Sequence, residues 1–177
     1  MLILDRSLWG YWLLMVAIVV SANILVQYPI NTWLTWGALT YPIAFLVTDL
    51  CNRRLGIEAA RQVVWLGFVV AVFLSAILAT PRIAIASGSA FLMAQMLDVK
   101  LFDIVRNSRW YIAPLLSSVV GSLVDTAWFF SVAFYSTGVP WVKLAIGDYA
   151  IKVALALILL VPYRSLITVK NEQPRPL

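Results

Sequence analysis

The chain has 177 residues, of which 63% are hydrophobic and 12% are charged, and its mean hydropathy is +0.92. Soluble domains are roughly half apolar and about a quarter charged, so this composition indicates an integral membrane protein with little room for a soluble domain. The net charge of +5 does not indicate nucleic acid binding, because the basic residues fall at the ends of apolar segments, where they set membrane orientation.

Two residue counts narrow the chemistry further. A single cysteine, Cys51, excludes an intramolecular disulfide. The chain contains no histidine, which removes the commonest proton relay and a common metal ligand. We therefore expect no metal centre, no cofactor and no histidine-based catalysis.

Six apolar segments predict a bundle of six transmembrane helices, an all-α membrane fold. The helical domain covers 1–163, and a polar cytoplasmic tail, expected to be disordered, covers 164–177. The first segment is interpreted as a retained helix, because its apolar run exceeds the core of about 7–15 residues typical of a signal peptide. The predicted spans are Trp9–Tyr28, Trp33–Leu50, Val63–Ala79, Ile83–Leu97, Ile112–Tyr135 and Val142–Val161.

The distribution of lysine and arginine predicts the orientation of this bundle. Ten basic residues lie in the two terminal segments and in the links that follow the second and fourth spans, whereas only Arg82 and Lys143 lie in the opposite links. Because cytoplasmic loops carry the excess of basic residues, both termini are predicted to face the cytoplasm.

The first three spans differ in how much polar chemistry they carry. Asn23 and Gln27 in the first span are one helical turn apart and share a polar face. Pro42 in the second span predicts a kink, because proline removes a helix hydrogen bond; such a kink either lines a substrate site or is only architectural. The third span is nearly featureless and is predicted to face lipid.

Two stripes run along the fourth span. The first is a close-packing stripe of small residues, Ala86, Ala90 and Ala94. The second is mixed and is typical of a cavity wall, and it contains Ser87, Phe91, Gln95 and Asp98.

The last two spans carry charges within the membrane. Asp125 lies near the middle of the fifth span, where a charge costs at least about 2.5–3.5 kcal/mol and therefore indicates a functional site. Asp148 and Lys152 in the sixth span are one turn apart, with the acid first, as in a stabilising ion pair. Since Lys152 and Asp125 lie at comparable depth in antiparallel spans, we expect one cluster of all three. Such a cluster either binds a polar ligand or proton, or is a permanent structural salt bridge.

A cavity built around that cluster would suit a planar, nitrogen-rich heterocycle, although a small cation would also fit its chemistry. Carboxylates accept hydrogen bonds from ring N–H groups, amides both donate and accept hydrogen bonds, and aromatic rings stack on the face of a heterocycle. The predicted substrate-binding residues are Asn23, Phe91, Gln95, Asp125, Trp128, Asp148 and Lys152. Asp49 and Asp98 are candidates for gating or proton coupling.

The order of several motifs along the spans resembles the queuosine precursor transporter family, also described as vitamin-uptake-type transporters. The motifs are Thr40-Tyr41-Pro42, Phe45-Leu46-Val47-Thr48-Asp49-Leu50 before Arg53 and Gly56, Gln95-Met96-Leu97-Asp98, Gly121-Ser122 before Asp125-Thr126, and Asp148-Tyr149 before Lys152-Val153. The link Thr80-Pro81-Arg82 departs from the family pattern, in which a longer outer segment is found.

The resemblance implies a multi-pass importer in the inner membrane, with the 7-deazaguanines preQ0 and preQ1 as substrates. Three rival classes remain open. The first is a substrate-capturing subunit of an ATP-driven importer, since the chain has no phosphate-binding loop of its own. The second is an intramembrane enzyme, which is disfavoured by the missing histidine. The third is a structural subunit. Small-residue faces could also form a homodimer seam.

Overall fold

The computed structural model describes residues 6–25, 28–31 and 34–168. Seven helices and one short pair of strands occur in these ranges. The two strands pair antiparallel and lie between the first two helices. The elements are α1 Arg6–Leu25, β1 Pro29–Asn31, β2 Leu34–Thr35, α2 Trp36–Thr40, α3 Pro42–Leu55, α4 Ile57–Leu78, α5 Pro81–Val105, α6 Ile112–Phe134 and α7 Trp141–Thr168. The expected polar residue Gln27 lies outside the described residues.

Five of these helices are long and apolar enough to cross a membrane, namely α1, α4, α5, α6 and α7. The predicted second span is instead divided into α2 and α3, and α3 alone has 14 residues, fewer than the roughly 20 that a straight span needs. The helix is interrupted at the place where a kink was predicted: α2 ends at Thr40, and Pro42 begins α3 at the helix position where a missing N–H costs least.

Several helices extend beyond the predicted spans. The fourth predicted span was expected to end at Leu97, but α5 continues to Val105. The helix α7 continues through Pro162 to Thr168, into the segment expected to be a disordered tail. Tertiary contacts explain the second extension. Tyr163 is fully buried against Phe102, and Arg54 Nη2 donates to the carbonyl of Leu166 at 2.5 Å.

The helix α4 separates a core face from a membrane-facing one. Its exposed large residues recur every four positions at Trp65, Val69, Phe73 and Ile77, which is a stripe along one side of a helix. The opposite side is buried and contains small residues such as Gly67 and Ala71. This exposed stripe is the part of α4 that the prediction of a lipid-facing span concerns.

An interlocked pair of arginines, here the arginine clasp, joins α3 to α5 at one end of the bundle. Arg53 Nη1 donates to the Arg106 carbonyl at 2.6 Å, and Arg106 Nη2 donates to the Asn52 carbonyl at 3.3 Å. Asn52 Nδ2 in turn donates to the Val99 carbonyl at 2.8 Å, and Arg53 Nε donates to the Tyr163 hydroxyl at 3.3 Å. Basic residues counted for orientation therefore also hold helices together, and the orientation itself stays a prediction.

The helices α5 and α6 form the most extensive helix pair of the bundle. The expected close-packing stripe is confirmed, because Ala86, Ala90 and Ala94 are at most 1% exposed. On α6, Gly121 allows the closest approach: a Cβ there would lie 2.9 Å from Cε1 of Phe45 and 3.3 Å from the Ala94 carbonyl oxygen. This glycine therefore determines how near α6 lies to α3 and α5.

Replacing Gly121 with valine should destabilise the bundle, because the added carbons overlap backbone as well as side chain. We expect a loss of roughly 1–3 kcal/mol, the usual cost of overpacking. Gly147→Val is the matched control, since a Cβ at Gly147 meets nothing within 4 Å. Thermal denaturation in detergent, followed by size-exclusion chromatography of the surviving protein, measures the difference. Equal midpoints for the two variants would contradict this packing argument.

Candidate functional site

The helices α6 and α7 bring three charged side chains together inside the bundle. Lys152 Nζ lies 2.7 Å from Asp125 Oδ2 and 2.5 Å from Asp148 Oδ2. The side chains of Lys152 and Asp125 are each 7% exposed, and that of Asp148 is 18% exposed. The predicted cluster of three is therefore confirmed, and we refer to it as the ionic triad. With one cation and two carboxylates, it carries a formal charge of −1.

Two further residues complete the hydrogen bonding of the ionic triad. Thr126 Oγ1 donates to Asp148 Oδ2 at 2.8 Å and accepts from Lys152 Nζ at 3.2 Å. The Tyr41 hydroxyl donates to Asp125 Oδ1 at 3.3 Å, and its ring lies beneath Lys152 Nζ at 5.6 Å from the ring centroid. Tyr41 is the residue between α2 and α3, so the helix break places a hydroxyl and an aromatic face at the triad.

A second polar group lies between α3, α5 and α6. Asp49 and Asp98, here the acid pair, are 2% and 0% exposed. They are neighbours, because Asp98 Oδ2 lies 3.4 Å from the hydroxyl of Thr48, the residue next to Asp49. Hydroxyl groups surround the pair. Ser117 Oγ donates to Asp49 Oδ1 at 3.2 Å, and Ser118 Oγ lies 3.5 Å from Asp49 Oδ2.

Thr48 and Gln95 lie on the Asp98 side of the acid pair. Thr48 Oγ1 lies 3.0 Å from Gln95 Oε1 and 3.4 Å from Asp98 Oδ2, and it also contacts the carbonyls one helical turn back. Gln95 is fully buried, yet its Nε2 has no hydrogen-bond partner among the described residues, and neither has Asp98 Oδ1. Buried polar atoms without partners are rare in folded proteins and need an explanation.

A narrow crevice connects the two polar groups. Asp49 and Lys152 both line it, with Ser118 and Ser122 of α6 between apolar residues of α3 and α7. In this conformation it has room for about one water molecule. The crevice therefore marks the place where α3, α6 and α7 would have to separate for a larger molecule to reach both groups.

The structure distributes the predicted binding residues over five places. Asp125, Asp148 and Lys152 form the ionic triad, and Gln95 lies beside the acid pair. Phe91 is buried, with its ring 6.0 Å from that of Tyr41 and its tip against Gly67 of α4.

Asn23 and Trp128 do not lie at either polar group. Asn23 Oδ1 accepts from Ser75 Oγ of α4 at 3.3 Å, because its position on α1 faces α4. Trp128 is 41% exposed on the outer side of the α5–α6 pair, where its Nε1 donates to Ser89 Oγ at 2.8 Å. Their assignment to one substrate cavity with Asp125 stays a prediction.

Sequence reasoning did not assign Tyr41, Thr48 or the two serines at Asp49 to a site. Each had a signal: Tyr41 precedes the kinking proline, Thr48 precedes an intramembrane acid, and Ser117 and Ser118 belong to the small, polar face of α6. Among the described residues, no group of three or more histidine, cysteine, aspartate or glutamate side chains could hold a metal ion.

Comparison with known proteins agrees with this architecture. Residues 35–80 and 74–167 match the family described as "Putative vitamin uptake transporter". The chain belongs to this vitamin uptake transporter family. The two matched parts meet at residues 74–80, next to the short turn between α4 and α5. Membership and the apolar helices together identify a multi-pass membrane protein.

Curated relatives of this family member carry a more specific name. A protein of Escherichia coli named "Queuosine precursor transporter" is 31% identical over 186 residues, covering 89% of this chain and 84% of the relative. A "Probable queuosine precursor transporter" of Haemophilus influenzae is 36% identical over 154 residues, covering 72% of this chain and 66% of the relative. One from Bacillus subtilis is 32% identical, covering 73% and 69%. No solved structure matches the chain.

The ionic triad predicts an unequal response to removing its members. Lys152→Met leaves two buried carboxylates without their cation, and breaking a buried ion pair costs roughly 3–5 kcal/mol. Asp125→Asn leaves Lys152 paired with Asp148, so we expect a smaller loss of stability. Lys143→Met, at an exposed position of the same helix, is the control. Thermal unfolding in detergent should rank wild type and Lys143→Met highest and Lys152→Met lowest; a Lys152→Met variant as stable as wild type would contradict the triad.

Proposed function

We propose that this family member imports queuosine precursors, the 7-deazaguanines preQ0 and preQ1, across the cell inner membrane. The names of three curated relatives support the substrate class. The observation that carries the proposal is the ionic triad, which places hydrogen-bonding charges inside the helix bundle next to a crevice. Intramembrane charges of this kind mark substrate and ion pathways more often than simple packing.

The chemistry of a deazaguanine matches the groups around the crevice. Its guanine-like edge presents adjacent N–H donors, which one carboxylate can accept as a pair, and a carbonyl that an ammonium or an amide can meet. Asp125 would bind the N–H edge, and Lys152 or Gln95 would meet the carbonyl. The aminomethyl group of preQ1 is cationic and fits the formal charge of −1 on the triad, whereas the nitrile of preQ0 needs no counter-charge.

The geometry suggests how Asp125 becomes free to bind. Both of its oxygens are engaged, one by Lys152 and the other by the Tyr41 hydroxyl. Because Lys152 also contacts Asp148 at 2.5 Å, the ammonium keeps a partner when Asp125 turns to the substrate. Asp148 and Thr126 therefore position Lys152. The substrate displaces the Tyr41 hydroxyl from Asp125.

The crevice must widen before a bicyclic base can enter, since it has room for about one water molecule. Its walls are contributed by α3, α6 and α7. The division between α2 and α3 at Tyr41 is the joint at which α3 could move without unwinding a continuous span. Opening there would uncouple the Tyr41 hydroxyl from Asp125 and expose Lys152 at the same time.

Uptake by cells that cannot synthesise queuosine tests the proposal. We expect cells expressing this chain alone to take up labelled preQ0 or preQ1 and to regain queuosine in their tRNA. Asp125→Asn should raise the substrate concentration needed for half-maximal uptake roughly ten- to a hundredfold, because a charge-assisted hydrogen bond is lost.

Glu58→Gln is the control, since Glu58 is 74% exposed in a surface ion pair with Arg61, far from the triad in sequence. Membrane levels of all variants are measured by quantitative immunoblotting. Wild-type uptake no better than that of cells without the chain would contradict a stand-alone importer. Normal uptake by Asp125→Asn would overturn the assignment of Asp125.

A further inference from the structure

We propose that the acid pair, Asp49 and Asp98, holds one exchangeable proton and couples its movement to import of the precursor. The inference rests on the proposed function, because it concerns the energy source of the same transport cycle. The proton would bind on the side from which the substrate enters and leave on the side to which it is delivered.

The first argument is the lack of a counter-charge. Asp49 and Asp98 are buried neighbours, joined through the hydroxyl of Thr48 beside Asp49, but neither forms a salt bridge with a basic group within 4.0 Å in the described part of the chain. Two adjacent carboxylates cannot both ionise readily in such a place, and one of them retains a proton. By contrast, the ionic triad has its own cation.

The second argument comes from the unpartnered atoms beside the pair. Asp98 Oδ1 receives no hydrogen bond from a described residue, although Asp98 is fully buried. A proton shared with Asp49 would give that carboxyl a partner. Gln95 is also fully buried, and its Nε2 has no partner among the described residues. The Thr48 hydroxyl contacts both the Oε1 atom of the same amide and Asp98 Oδ2. The amide of Gln95 thus belongs to the same buried hydrogen-bonded group as Asp98 and has a donor without a partner.

The third argument is access. Asp49 lines the same crevice as Lys152, and Ser117 and Ser118 are hydroxyl groups that can pass a proton to it or stabilise its ionised form. Opening of the crevice for the substrate would therefore also bring water to one member of the pair. Asp98 lies deeper, with Thr48 between it and the helix backbone.

The other ionisable groups on neighbouring helices are already engaged. On α7, Lys152 is bound in the ionic triad and Tyr163 accepts from Arg53. On α1, Tyr11 donates to the Leu50 carbonyl and accepts from Arg54. The remaining groups nearby are Asp125 on α6, in the triad, Arg53 and Arg106 in the arginine clasp, Cys51 on α3, which is buried, and Glu58 and Arg61 on α4, in an exposed ion pair.

Transport into liposomes containing the purified full-length chain tests the coupling. Labelled preQ0 is the probe because it is uncharged, and the membrane potential is clamped with potassium and valinomycin. With the outside more acidic by about one pH unit, wild-type protein should accumulate preQ0 up to about tenfold, the limit for one proton moved per substrate. A sodium gradient at equal pH should have no such effect. A pH-sensitive dye inside the vesicles should report proton entry when preQ0 is added.

Asp49→Asn and Asp98→Asn replace an acid by a group of the same shape that cannot release a proton. Both variants should retain exchange of internal unlabelled for external labelled preQ0, yet lose the acceleration by the pH gradient. Asp103→Asn is the control on the same helix as Asp98, since Asp103 is partly exposed and paired with Arg106. It should behave like wild type.

The outcomes separate this inference from the proposed function. Exchange by wild type without any response to the pH gradient, or accumulation driven by sodium instead, would overturn proton coupling while leaving the importer in place. Persistence of the pH response in both asparagine variants would overturn the assignment to the acid pair. Absence of exchange by wild type with either preQ0 or preQ1 would overturn the proposed function, and this inference with it. The dye measurement needs no variant, so the proposal stays testable if the variants do not fold.

Discussion

The burial of Lys152 is the constraint on which the rest of this bundle depends. Removing an ammonium from water costs several kcal/mol even after relaxation, and a carboxylate partner offsets this cost only with good geometry and full hydrogen bonding. The ionic triad meets both conditions, with two carboxylates within 2.7 Å of Nζ and a threonine hydroxyl that bridges Lys152 to Asp148. The mutual position of α6 and α7 is therefore specified by charge as well as by packing.

The same constraint gives a reason for the break between α2 and α3. Tyr41, the residue between α2 and α3, keeps helical backbone angles, and its hydroxyl donates to Asp125 while its ring lies under Lys152. The proline begins α3 without loss of a hydrogen bond. Small residues then bring α3 close to α6, as at Gly121 beneath the Phe45 ring. Local sequence, packing and electrostatics thus all contribute to the structure at the junction between α2 and α3.

The parts that could be predicted are those governed by local spacing. Asp148 and Lys152 lie four residues apart on one helix, and Asp125 lies at matching depth in the preceding antiparallel helix, so the triad follows from helix geometry. The kink at Pro42 and the alanine stripe of α5 follow in the same way. The contacts of Asn23 with Ser75 and of Trp128 with Ser89 could not be predicted, because an almost entirely apolar helix does not reveal which neighbour each face meets. The end of α7 was missed because Tyr163 is held by residues from α3 and α5.

The acid pair shows a different limit. Asp49 and Asp98 were each recognisable as intramembrane acids, but their contact depends on the register of α3 against α5, which is set by Gly121, by Asn52 on the Val99 carbonyl and by the arginine clasp. The bundle therefore contains two buried charge groups of opposite design, one neutralised largely by its own lysine and one without a cation. The ionic triad contains its own cation, so its members can exchange partners with a ligand and remain stable. The acid pair contains no cation, so its negative charge must be balanced by a proton taken up from water. That difference, together with the crevice that joins them, is why binding is assigned to the triad and coupling to the acid pair.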